Sequence, residues 1–297
     1  MTRRRSDVVV GVVLITVFVL ILWMAIGVFR SPEPSGSISV SGSGDVAVIE
    51  LQGMIADASP VIRQLDTFAD RKDVKAIVLR VESPGGVVAA SQELYDAVVR
   101  ARDTEKPVVV SMGSLAASGA YYAALGADTI MANPGTLTGS IGVLMDFPEM
   151  TRLLDKIGVE FHSVTSGPYK DAGAPYDPWE QQEEEYYQSL VMDTYEQFIG
   201  VVANERNMPL DSVRELADGR VFTGSQAQSN GLIDLLGNLH DAIMLAGEMA
   251  GIEGEPSVIK PRKQELRMVD LLFGDVEQII NRVATGPVLQ FRYNAGF

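Results

Sequence analysis

The chain has 297 residues, 46% of them apolar and 21% charged, which excludes a disordered polymer. It has no cysteine and two histidines, His162 and His240, which excludes a disulfide scaffold, a thiol nucleophile and a multi-histidine metal site. The formal charge is −15, and an acidic body repels phosphate, so nucleic acid is a poor partner.

Residues 8–29 carry no charge and are almost wholly apolar. As a helix they would be about 33 Å long, enough for a hydrocarbon core of about 30 Å. A cleaved signal peptide usually has a shorter apolar run closed by a small-x-small site, and this run closes on Gly-Val-Phe-Arg. The expectation is a retained transmembrane anchor. Arg3, Arg4 and Arg5 precede it and only Arg30 follows directly. That bias puts residues 1–7 in the cytoplasm and the body on the extracytoplasmic side of the cell membrane. Residues 30–45, rich in Ser, Gly and Pro, read as a flexible linker. The folded body then spans 46–252, and 253–297 hold a C-terminal extension.

Within the body, apolar runs at 46–51, 75–81 and 107–112 read as strands. Helical patterns at about 61–71 and 87–102 separate them. Strands apolar on both faces, alternating with helices, predict an α/β fold with a mostly parallel covered sheet. The Ala/Ser/Gly-rich stretch 114–127 predicts a tightly packed helix. A strand at 128–134, a Gly-rich turn at 138–143, a helix at 148–157 and a strand at 160–164 come next. Asp177-Pro178-Trp179-Glu180 reads as a helix start, with Asp177 as cap, and the helix runs to about Asn207. A short helix at 209–217 and a strand and helix within 231–250 close the body. An amphipathic helix is expected near 268–283, before an apolar, aromatic tail.

Three segments could carry chemistry. Ser83-Pro84-Gly85-Gly86 ends a strand, and its glycines allow N–H groups to aim at a developing oxyanion. An ordinary strand–helix turn would look the same. Ser118, in Ala-Ala-Ser-Gly-Ala, lies near a helix start with room for a substrate; it could equally fill a tight helix contact. Lys170 sits in a Gly/Pro loop, where lysines are usually solvated. A serine nucleophile needs a base, and neither histidine is framed by a Gly-rich turn. A lysine can serve if burial strips its proton near neutral pH.

The stretches VESPGGVVAASQELYDAV, SMGSLAASGAYYAALGAD, ANPGTLTGSIGV, SGPYKDAGAP and DGRVFTGSQAQSNGLID, in that order, resemble the signal peptide peptidase A family of membrane-anchored serine proteases, in its short single-repeat form. The resemblance spans about residues 46–250. It implies the twisted sheet with flanking helices of the Clp protease and crotonase folds. It further implies a Ser–Lys dyad, with Ser118 as nucleophile, Lys170 as general base, and Gly86 with Gly119 lining the oxyanion hole. Ser140 would hydrogen-bond the lysine. The chain departs from the family pattern at Ala120, where a second glycine is expected, and at Ala174, where a serine is common.

The resemblance also implies peptide substrates such as signal peptide remnants and membrane protein fragments, no metal or other cofactor, and a homo-oligomer whose active sites join neighbouring protomers. A crotonase-type acyl-CoA enzyme and a non-catalytic membrane scaffold of the same fold are the competing readings.

Overall fold

The computed structural model describes residues 43–261 and 289–293, all within one compact unit, Ile38–Phe297. The expected anchor at 8–29 and the amphipathic helix near 268–283 lie outside the described residues. Among the described residues, no helix is long and apolar enough to cross a membrane.

The first half alternates as the sequence predicts: β1 (Val46–Gln52), α1 (Ser59–Asp70), β2 (Ala76–Ser83), β3 (Gly85–Val87), α2 (Val88–Arg102) and β4 (Val108–Ala117). Then come α3 (Gly119–Ala124), β5 (Thr129–Ala132), β6 (Leu137–Gly139), α4 (Thr151–Ile157) and α5 (Gln181–Glu205). The remainder is α6 (Leu210–Leu216), β7 (Val221–Thr223), α7 (Gly224–Ser229), β8 (Leu235–Leu236), α8 (Leu239–Met249), β9 (Val258–Ile259) and β10 (Gln290–Arg292).

One mixed sheet runs β7-β6-β4-β2-β1-β9, with β5 and β8 branching from β4. Every pairing in it is parallel except β6 with β7. Both faces are covered, which explains the unbroken apolar strands. Along β1 the side chains alternate between two cores: Ala47, Ile49 and Leu51 join α1 and α2, while Val46 and Val48 meet Ala242 and Ala246 of α8. In α1, Val61, Leu65 and Phe68 form the buried stripe.

β4 positions the site. Its first half pairs with β5 and its second half with β6, and its pairing with β2 shifts register between Val81 and Ser83. Such a bulge bends a strand and re-aims the residues after it. The Glu82 carboxylate holds it, accepting from the N–H groups of Ser114 (2.8 Å) and Leu115 (3.1 Å). A side chain on Gly113 would run into that carboxylate.

Three expectations need correction. The small-residue stretch is not one helix from 114: the strand continues to Ala117, and only Gly119–Ala124 is helical. Small side chains fit either element there, because the sheet partner and the covering helix both approach closely. Residues 160–164 form no strand and lie exposed; an alternating pattern without a neighbouring edge has nothing to pair with. The long helix is capped by Glu180 rather than Asp177, with Glu183 reaching back to the Glu180 N–H at 3.5 Å. Asp177 instead donates its N–H to the Ala174 carbonyl in the preceding turn.

Tyr121 anchors α3. Its hydroxyl donates to the Leu232 carbonyl at 2.8 Å from a fully buried position, and burial pushes the phenol pKa well up, so it stays a donor. Tyr121→Phe leaves that carbonyl unpaired and should cost about 1–3 kcal/mol, read as a lower urea midpoint at unchanged slope. An unchanged midpoint would mean that water replaces the bond.

Candidate active site

Ser118 stands between β4 and α3 with φ 55° and ψ −117°. A non-glycine residue in that region costs roughly 1–3 kcal/mol and persists only where its surroundings impose it. Here the Ser118 N–H donates to the Gly139 carbonyl at 2.7 Å, and its own carbonyl accepts from Tyr122 at 2.8 Å. The residue is 1% exposed, and its hydroxyl oxygen has no hydrogen-bond partner. A strand-to-helix elbow of this kind is how several hydrolases present a nucleophilic serine.

Gly86 and Gly119 converge beside it. A Cβ built on Gly119 would stand 3.2 Å from the Gly86 nitrogen, and one built on Gly85 would stand 2.6 Å from the Gly119 nitrogen. Gly85 also has φ +92°, a conformation that only glycine adopts without strain. A Cβ on Gly86 would collide with the Ile55 backbone. The Gly119 N–H belongs to the first turn of α3, where it has no partner within the helix. The backbones that carry the two N–H groups named from the sequence thus pack closely together next to Ser118.

Ser140 follows Gly139 with φ 51° and is buried; its N–H donates to the Arg220 carbonyl at 2.9 Å. It lines a cleft of about 750 Å³ together with Leu144, Gln188, Met192 and Tyr195.

Lys170 lies elsewhere. It is exposed, and no bond joins it to the Ser118 hydroxyl in the same chain. Its loop is ordered against the start of α5. Tyr187 donates to the Ala172 carbonyl at 2.8 Å, Gln182 donates to the Tyr169 hydroxyl at 2.8 Å, and Phe147 packs on Tyr187 with ring centres 4.3 Å apart. Around this arm Leu153, Ile157, Phe161, Val164, Trp179 and Tyr186 are all exposed. His162 is exposed beside Glu160, and His240 is exposed at the start of α8; neither reaches Ser118.

Sequence reasoning missed Phe291. Its side chain is fully buried against Tyr122 (5.2 Å between ring centres) and Phe198 (4.6 Å). The only signal was the aromatic character of the tail.

The mixed sheet with flanking helices has a Clp protease-like architecture, and in it the strained Ser118 stands beside close-packed glycine backbones. Comparison with known proteins agrees. The model of Peptidase family S49 matches residues 100–253, and that of Clp protease matches residues 45–136. A Synechocystis sp. protein provisionally named a protease is 40% identical over 81% of this chain and 83% of its own length. An Enterococcus faecium protein provisionally named signal peptide peptidase SppA is 38% identical over 61% of this chain and 53% of its own length. Protease 4 of Salmonella typhi is 38% identical over 71% of this chain and 35% of its own length. The chain therefore spans about half and about a third of the latter two. It belongs to peptidase family S49.

Ser118→Ala removes a buried hydroxyl that has no partner, so the variant should be more stable than the parent by about 1 kcal/mol in urea unfolding. A loss of similar size would show that the hydroxyl has a structural role.

Proposed function

We propose that the protein is a membrane-anchored serine endopeptidase working through a Ser118–Lys170 dyad, and that it cleaves signal peptide remnants and other membrane-associated peptides on the extracytoplasmic side. The observation that carries this reading is the strained Ser118, whose buried hydroxyl has no partner and sits beside the N–H groups of Gly86 and Gly119. Membership of family S49 supports the reaction class. The apolar run at 8–29, preceded by three arginines, supports the anchor and its orientation.

The chemistry rests on those parts. The Lys170 amine takes the Ser118 proton as the oxygen attacks the peptide carbonyl. The oxyanion accepts from Gly86 and Gly119, each worth about 2.7–4 kcal/mol on the precedent of a single donor in a serine protease. The lysine ammonium then protonates the leaving amine, and water hydrolyses the acyl-enzyme.

A lysine acts as base near neutral pH only when stripped of water. In one chain Lys170 is exposed, so the reading requires a neighbour. The exposed apolar side chains around its loop are of the kind that associating proteins bury. A homo-oligomer would place Lys170 of one protomer in the cleft of the next, past Ser140, which lines that cleft.

A fluorophosphonate probe followed by peptide mapping tests this reading. Ser118 should carry the label in the full-length protein. Lys170→Ala should slow both labelling and peptide cleavage by at least about 10²-fold, and Ser118→Ala should abolish both. Cleavage that persists in the Ser118→Ala protein, or labelling at another serine, would overturn the assignment.

A further inference from the structure

β4 makes an excursion just before it reaches Ser118. β2 advances two residues, from Val81 to Ser83, while β4 advances four, from Met112 to Ala116. Ahead of the excursion β4 pairs with β5, and after it with β6. Backbone groups in the excursion leave the β2 ladder, and those that are buried must be bonded elsewhere.

Side chains from both flanking strands take them. From β2, the Glu82 carboxylate accepts from the N–H groups of Ser114 and Leu115, and Arg80 donates to the Met112 carbonyl at 3.2 Å. On the other side, Thr136 donates its hydroxyl to the Gly113 carbonyl at 2.6 Å, and Thr138 of β6 donates to the Ala116 carbonyl at 2.7 Å. Both threonines are buried. Two charges two residues apart in the otherwise apolar run of β2, and two threonines two apart at β6, thus serve one short piece of backbone.

Where these bonds end gives them a bearing on chemistry. Ala116 is the first residue of β4 back in register with β2, and Ser118 lies two residues further on. β6 holds Ala116 through the Thr138 hydroxyl, and it holds the Ser118 N–H through the Gly139 carbonyl. Glu82 ties the excursion to β2, which runs on through Ser83 into the Gly85-Gly86 turn. Neither Glu82 nor Thr138 bonds to the Ser118 hydroxyl itself.

We propose that Glu82 and Thr138 are positioning residues for the Ser118 nucleophile. They set how far β4 reaches past β2, and with it the place of the Ser118 hydroxyl against the Gly86 and Gly119 backbones. Both roles presuppose Ser118 as the nucleophile. A misplacement of about 1 Å can cost about 10²-fold in rate, so loss of either clamp should slow the chemical step and leave peptide binding nearly unchanged.

The rate of fluorophosphonate labelling, measured on folded full-length protein, separates aiming from stability. A variant that is only less stable but still folded labels at the parent's rate; one with an ill-aimed serine labels slowly. Thr138→Val loses the hydroxyl and keeps the shape. It should label at least about tenfold more slowly, and its kcat for peptide cleavage should fall by a like factor with KM within about twofold. Thr138→Ser restores the donor and should recover most of the rate. At Glu82 the order should be parent, then Glu82→Gln, which keeps one of the two acceptors, then Glu82→Ala. A Cβ at Gly113 would stand 1.8 Å from Glu82 Oε2, so Gly113→Ala should displace the carboxylate and copy Glu82→Ala. The Gly113→Ala/Glu82→Ala double variant should be no slower than either single one, because both remove the same clamp.

Folded Thr138→Val and Glu82→Ala proteins that label and turn over at the parent's rate would overturn the proposal. So would a Thr138→Ser protein as slow as Thr138→Val, or a double variant in which the two effects multiply. If Thr138→Val does not fold, the Glu82 series decides alone, since that side chain is half-buried and outside the apolar core. Normal labelling of Ser118 in the parent with unaffected variants leaves the peptidase reading intact. A parent that labels at another serine would instead remove Ser118 as nucleophile, and both positioning roles with it.

Discussion

The left-handed turn at Ser118 is the constraint on which the site depends. A serine with φ 55° is held there because its N–H is fixed to Gly139 on one side and its carbonyl caps into α3 on the other. The bulge at Gly113, stapled by Glu82, bends β4 so that its end reaches this point. The same turn starts α3, whose first N–H then lies beside β3. Only backbones without side chains can come so close, which is why glycines occupy 85, 86 and 119. Strain at one residue, a bulge before it and three glycines around it form one device.

On the proposed dyad, one chain holds only part of the device. The Ser118 hydroxyl is buried without a partner, while Lys170, the proposed base, is exposed on an arm carried by α4, the following loop and the start of α5. The arm is ordered by its own aromatic contacts, Phe147 on Trp179 and Tyr187, and Phe161 on Tyr176. It nonetheless presents apolar side chains outward. Assembly would bury those side chains and bring base to nucleophile in one event. Activity would then depend on the assembled state, and a stray monomer would be harmless.

Much of the fold around Ser118 was legible in the sequence because it is local. The alternation of strands and helices up to Pro107 reflects apolar periodicity, and Ser83-Pro84-Gly85-Gly86 announces a backbone that must approach closely. Ser118 could be singled out because small residues surround it. The features that stayed hidden depend on distant partners. Residues 114–117 suit strand or helix equally, and pairing with β6 decides. Residues 160–164 alternate like a strand but meet no edge. Asp177 has the chemistry of a cap, yet the turn bond from its N–H to Ala174 leaves Glu180 to start the helix. Phe291 had no signal of its own, because its burial is set by Tyr122 and Phe198, far away in sequence.

The most direct measurement is complementation between two inactive chains. Ser118→Ala protein keeps a sound Lys170, and Lys170→Ala protein keeps a sound Ser118. Co-expressed and purified as mixed oligomers, they should regain peptide cleavage well above that of either variant alone, because some clefts then receive one good residue from each chain. Mixed oligomers that stay as inactive as the separate variants, while the parent prepared the same way cleaves, would contradict a dyad shared between protomers.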